Sequence, residues 1–151
     1  MHTTRQESGA VAVEMALLLP MLVLLLFGVT EFGRAIYQYN ALAKAVRDSA
    51  RYLSQFAPGD AARTLEARLM VVCGSAVCDP TKPRIPGMSL SYVQVRDRTT
   101  DPGNYNLQST GRGVLNLVRV EVSGFTFQSL GKGFVPDLAF SPIQATMEQV
   151  P

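Results

Sequence analysis

Residues Ser8 to Val29 read SGAVAVEMALLLPMLVLLLFGV, and the rest of the chain is arranged around them. From Ala10 to Val29 there is one charge, Glu14. Such a run is long enough to cross a hydrocarbon core of roughly 30 Å as a helix. No other segment of the chain has comparable unbroken apolarity.

Working outward, Met1 to Ser8 is a short polar start with Arg5 and Glu7, expected to be flexible. Three fates of the apolar run are open. A cleavable secretory signal needs a short apolar region and a small-residue exit, whereas this exit reads FGVTEFGRA without an A-x-A pattern. A plain membrane anchor is the second. An anchor trimmed at Gly9 is the third. Glu14 favours the third, because a carboxylate in an apolar helix is costly unless paired. Cleavage after Gly9 would place a free amine on Ala10, and positions four apart share a helix face. That amine could belong to the same chain or to a neighbour. Snorkelling to the interface or protonation of Glu14 is the alternative.

Ser8, Ala12 and Ala16 form a small-xxx-small series that lets helix backbones approach in a membrane. Pro20 removes one helical hydrogen bond and is expected to bend the helix. Charge leaves orientation open. Arg34, Lys44 and Arg47 follow the span and only Arg5 precedes it, but a large following domain can translocate regardless.

After Val29 the pattern becomes amphipathic. Phe32, Ile36, Tyr39, Leu42, Ala43, Val46, Ala50 and Leu53 recur three or four apart, with Glu31, Arg34, Gln38, Lys44, Arg47 and Asp48 mostly elsewhere. This predicts one helix continuing from the anchor to about Phe56, its apolar stripe covered by the chain's own sheet. Asp60 is a predicted N-cap for a second helix from Ala61 to about Val72. The only cysteines, Cys73 and Cys78, cannot alone form a four-ligand zinc site and lack the C-x-x-C spacing. They form either a small-loop disulfide, which suits an oxidising compartment, or two buried thiols.

The remainder reads as β-structure. Ser89–Arg96 is a predicted strand with Leu90 and Tyr92 on one face and Val93 and Val95 on the other. Asp97–Gly113 is a predicted polar loop, with Arg96, Arg98 and Arg112 interleaved with Asp97 and Asp101 as a solvated face. In Val114–Ser123, Val118, Val120 and Val122 alternate with Arg119, Glu121 and Ser123, the pattern of a half-buried strand. Phe125 and Phe127 extend it past Gly124. Gly131-Lys132-Gly133 is a predicted turn, and Leu138–Gln149 a last strand interrupted by Pro142. The expected fold class is α+β: a long transmembrane-plus-amphipathic N-terminal helix packed on a small, mostly antiparallel sheet. This is a pilin-like plan.

Composition excludes several functions. The 151 residues are 47% hydrophobic and 17% charged with net charge +2, which gives no nucleic-acid footprint. The sole histidine is His2, so a His-assisted nucleophile is not expected. Phosphate-loop spacing and metal-ligand clusters are absent. We expect no enzyme, cofactor or metal.

Gly9, four residues, Glu14 and a Leu-rich helix resemble the processing signal of type IV pilins and pseudopilins. The block from Gly9 to Leu53 resembles the start of TadE-like proteins, minor pilins or pseudopilins of the tight-adherence (Flp, type IVc) pilus system. The likeness includes Ala12-Val13-Glu14, Leu19-Pro20, Glu31-Phe32-Gly33-Arg34-Ala35, Asn40-Ala41-Leu42, Arg47 and Ala50-Arg51-Tyr52. Ala145-Thr146-Met147-Glu148 also fits. Met15 stands where the family usually carries Phe or Tyr.

The resemblance implies a leader at 1–9, a transmembrane helix at 10–29 and an extracytoplasmic domain at 30–151, with helix 30–56 continuous with the anchor. It implies cleavage between Gly9 and Ala10 by a prepilin peptidase, with Glu14 setting register and Ala12, Ala16 and Pro20 in helix packing. The implied partners are that peptidase, other Tad pilins or pseudopilins, the assembly platform and membrane lipid. The implied site is the bacterial inner membrane, N-terminus cytoplasmic. The rival expectation is an envelope scaffold or binding protein that never enters a filament.

Overall fold

A computed structural model describes residues 4–111, 113–131 and 135–150, with side chains from Gly9 onward. The fold is α+β. One helix, α1 (Thr4–Leu53, 50 residues), runs from the polar start through the apolar run into the domain, and Pro20 lies inside it. At ~1.5 Å per residue it spans ~75 Å. Thr4–Ser8, expected to be flexible, is helical.

The helix stops at Leu53, short of the expected Phe56. The last turn tightens there: the Gln55 and Phe56 N–H groups reach back three residues, to Tyr52 O and Leu53 O. Pro58 and Gly59, the latter at φ +80°, then prevent continuation. The chain turns back into α2 (Ala61–Cys73), capped as predicted: Asp60 Oδ1 accepts from the Ala62 and Arg63 N–H groups at 2.9 and 3.2 Å. Gly74, at φ +83°, closes the helix with its N–H on Met70 O. Just beyond, Cys73 and Cys78 are disulfide-bonded, with Cα atoms 6.4 Å apart.

Helix α2 runs antiparallel to α1 and is pinned near the turn. The Tyr52 hydroxyl donates to Glu66, Arg63 Nη1 donates to Glu66 Oε2 at 2.8 Å and to the Tyr52 oxygen at 3.1 Å, and the guanidinium lies over the Phe56 ring.

The main sheet has three strands in the order β1 (Val93–Arg96), β4 (Leu117–Val122), β7 (Ile143–Glu148), both pairings antiparallel. Val93 faces Val122, and Val120 faces Val95 on one side and Ala145 on the other. The predicted alternation in β4 holds: Val118, Val120 and Val122 are buried against α1, joined by Leu42, Val46, Ala50, Leu53, Val71 and Val72. Two small hairpins flank this sheet. One pairs β2 (Gln108–Thr110) with β3 (Gly113–Leu115), and the other pairs β5 (Thr126–Phe127) with β6 (Leu138–Ala139).

Several predicted boundaries move. Ser89–Arg96 begins as a single 3-10 turn, Leu90–Tyr92, before becoming strand. The loop after Asp97 contains a one-turn helix, Pro102–Tyr105, and strand β2. The predicted strand at Val114–Ser123 is two strands broken at Asn116, whose Oδ1 accepts from Leu107 N–H and whose carbonyl accepts from Gln149 N–H. Pro142, which cannot donate to a ladder, separates β6 from β7. Gly124, at φ +75°, separates β4 from β5. His2, Arg112, Lys132 and Gly133 lie outside the described residues.

Asp97 was expected on a solvated face and is buried instead. Its carboxylate accepts from Gly59 N–H at 2.8 Å and from the backbone and hydroxyls of Thr99 and Thr100, which ties the α1–α2 turn to the end of β1. Burial opposes its charge, but these donors outweigh it and hold the carboxyl below its usual range.

The largest correction concerns the apolar stripe of α1. From Leu42 to Leu53 the predicted face is the buried one. Lower down it is not: Phe32 is 63% exposed, Ile36 45% and Tyr39 43%, whereas Glu31, Ala35 and Gln38 are buried. Truncating Leu42 to Ala should therefore cost about 2–5 kcal/mol of domain stability. Phe32→Ala should stay within about 0.5 kcal/mol in the isolated chain. Guanidinium unfolding of the detergent-solubilised protein checks both. Comparable losses would mean that the lower stripe is covered after all.

Candidate functional site

The residues singled out in the sequence lie together along the first turns of α1. Gly9, Ala10, Ala12, Glu14, Ala16 and Pro20 are all on the helix and all exposed. A side chain at Gly9 would meet nothing within 4 Å. Glu14 has no ion-pair partner among the described residues. The domain leaves every residue from Gly9 to Leu26 uncovered, and only Phe27 and Gly28 are partly covered before Val29. The helix is long and apolar enough to cross a membrane once. In water these exposed leucines, valines and methionines would be unfavourable; lipid or neighbouring helices remove that cost.

The uncovered surface does not end at Val29. Val29, Phe32, Ile36 and Tyr37 carry it into the domain region on the side of α1 away from the core. Ala12 and Ala16, four apart, leave a shallow place where another backbone could approach. Chemically this surface offers close helix contact and one carboxylate. Paired carboxylates of the acid–base kind do not occur on it.

Sequence reasoning placed Glu31 and Arg34 on the polar side of α1. The structure turns them inward. Glu31 is 2% exposed, and its Oε2 accepts from Leu130 N–H at 3.1 Å and from Arg34 Nη2 at 3.0 Å. Arg34 Nη2 also donates to Gln128 O at 2.7 Å, and its guanidinium lies 4.7 Å over the Phe127 ring. Phe127 is fully buried and stacks with Phe140, which meets Tyr39 edge-on at 5.5 Å.

The physical cause of the shifted face is plain here. What packs on this stretch of helix is the loop after β5, and it presents backbone N–H and C=O groups. Polar side chains must meet them, because an unpaired buried backbone group is costly. One signal in the sequence was available: an acid and a base at i and i+3 immediately beyond an apolar run.

Burial pushes the Glu31 carboxyl up, but the Leu130 N–H, Arg34 and Ser129 hydrogen bonds together with the Arg34 charge outweigh it, so the carboxyl sits below its usual range. Glu66, Tyr52's acceptor, is likewise lowered, first by the tyrosine and then by Arg63. Neither carboxylate has the raised affinity for protons that acid–base work at neutral pH requires.

Against known families, the model for TadE-like protein matches residues 9–51. The match covers most of α1 and stops before α2, so the TadE-like resemblance is borne out over that helix. It takes in the exposed segment with Glu14 and also Glu31 and Arg34. No curated protein and no solved structure is significantly similar to the chain.

Because the folded carboxyl of Glu31 is lowered, its contribution to stability is complete above the ordinary value of 4.5 and disappears as pH falls through the lowered one. Glu31→Gln keeps an acceptor for Leu130 but loses the charge. Its stability deficit against the parent protein should be full at neutral pH and shrink in acid well below 4.5. Guanidinium melts at both pH values measure it; a deficit independent of pH would remove the charge from the account.

Proposed function

We propose that this chain is a TadE-like minor pilin or pseudopilin that acts in assembly or initiation of a type IVc (Tad/Flp) pilus. The observation that carries this reading is an overlap: the family match over residues 9–51 takes in the whole of Gly9–Leu26, the part of α1 that the chain leaves unpartnered. A globular domain that needed only itself would not leave such a helix bare.

On this reading, residues 1–9 are a leader, Ala10–Val29 spans the bacterial inner membrane with the N-terminus cytoplasmic, and 30–151 is extracytoplasmic. The disulfide supports that side, since disulfides persist in oxidising compartments. Prepilin peptidase cuts between Gly9 and Ala10, where the lack of a side chain suits a tight cleavage pocket. The new amine on Ala10 is a unit positive charge. In a membrane it seeks Glu14 of the same chain or of a neighbouring pilin, because the pair is far stronger in low dielectric than in water. Matching amine to carboxylate between subunits sets the axial register of helix against helix.

Ala12 and Ala16 let the helices close, and Val29, Phe32 and Ile36 extend the contact beyond the bilayer. The mechanism is packing, with no catalysis, cofactor or metal. Its partners are the peptidase, other Tad pilins or pseudopilins, the assembly platform and lipid. A second reading has one observation in its favour: the 30–151 region closes its own core, so it could serve as a permanently anchored scaffold.

Intact mass and N-terminal sequence of the membrane-extracted chain, with and without the peptidase, separate the two. A peptidase-dependent start at Ala10 is expected; a Met1 start under both conditions would leave the scaffold. Glu14→Ala should leave insertion unchanged and reduce pilus assembly by about a hundred-fold or more, the effect of removing one partner of a buried charge pair. Unchanged piliation would end the register role of Glu14.

A further inference from the structure

The loop after β5 runs down the long helix toward its apolar segment. Gln128 O meets Arg34, Leu130 N–H meets Glu31, and Gly131 packs against Phe27. Those helix positions span about 10 Å along the axis. The contact at Gly131 is close: a Cβ there would make the Phe27 ring shift. Phe27 lies two residues inside the end of the Ala10–Val29 span, about 3 Å along the helix. Gly131 therefore sits at the level where the span leaves the bilayer.

Two properties of residues 129–131 fit that level. Leu130 uses its N–H on Glu31 yet leaves its side chain 74% exposed, among the most exposed large apolar side chains of the protein. The N–H groups of 129–131 are all bonded internally. Ser129 N–H donates to Asp137 Oδ1 at 2.9 Å, Gly131 N–H to Ser129 Oγ at 3.2 Å, and Val135 N–H to Gly131 O at 3.2 Å. Backbone that approaches lipid must be satisfied within the protein. A solvent loop has no such requirement.

We infer that the segment 129–131 is a second membrane contact, with the Leu130 side chain set into the headgroup–acyl boundary of the leaflet from which α1 emerges. It rests on the membrane-spanning assignment of Ala10–Val29. The occupant is lipid because the exposed leucine continues the apolar surface of the span at Phe27. With the helix as one support and Leu130 as the other, the domain is held at a set height and rotation above the bilayer. Residues Val29, Phe32 and Ile36 are then presented in a fixed direction.

The test uses the full chain in vesicles of phosphatidylethanolamine and phosphatidylglycerol carrying brominated acyl chains. The native cysteines are bonded to each other, so a single introduced cysteine takes an environment-sensitive fluorophore. Three variants are compared: Leu18→Cys within the span, Leu130→Cys, and Val114→Cys, an exposed residue of β3 near the outer end of α1. Quenching at 130 should exceed that at 114 by roughly two-fold or more, with a blue-shifted emission, at every protein-to-lipid ratio.

Quenching at 130 no greater than at 114, with strong quenching at 18, overturns this inference and leaves the span intact. A spectral shift at 130 that grows with protein density, without lipid quenching, assigns Leu130 to a neighbouring subunit and also overturns it. Absence of quenching at 18 removes the span itself, and the inference with it.

Discussion

One helix has to satisfy two surroundings along a single axis. A helix makes its backbone hydrogen bonds within itself, which is what allows α1 to be bare on all sides from Gly9 to Leu26 and packed on one side from Leu42 to Leu53. Everything else hangs from its outer part. Helix α2 folds back along it, and β4 and β7 close over its remaining apolar face. Had the helix broken between the two regions, the domain would have been free to rotate against the apolar segment. Because it does not, the direction of the domain and the direction of Glu14 are mechanically linked through the helix.

The transition between the two regimes is managed by polar groups. Between the bare part and the apolar core lies a stretch in which Glu31, Arg34 and Gln38 face the domain. Glu31 gathers Leu130 N–H and Arg34, and Arg34 gathers Gln128 O and the face of Phe127. This exchanges apolar burial for hydrogen bonds just beyond the end of the apolar run. It also leaves Phe32, Ile36 and Tyr37 on the outside, available to neighbours. A chain that buried them would have a larger core and a smaller exposed apolar face.

The far end is closed by equally local means. Gln149, near the end of the chain, donates its side-chain amide to the carbonyls of Leu53 and Phe56, groups that every helix terminus leaves without partners. Val150 N–H bonds Ser54 O, and Asp97 ties Gly59 to the end of β1. The packed half of α1 is thus held by different segments, Gln128–Gly131 at its middle and the end of β7 at its outer end. Together they close the domain over the outer half of the helix.

Much of this was written in local sequence. The apolar run fixes an unbroken helix by composition, Asp60 and Gly74 mark the ends of α2 through capping, and the alternation at Val118, Val120 and Val122 defines the central strand by a period of two. Gly9, Glu14 and the motif around Arg34 carried the family resemblance. What the sequence could not decide was which side of α1 faces inward below Leu42. Periodicity selects the apolar stripe at Phe32, Ile36 and Tyr39, because it counts side chains only. The face that is buried was chosen by the backbone of a loop nearly a hundred residues away, whose N–H and C=O groups needed Glu31 and Arg34. Long-range hydrogen bonding has no signature in a helical period, so that choice belonged to the tertiary structure alone.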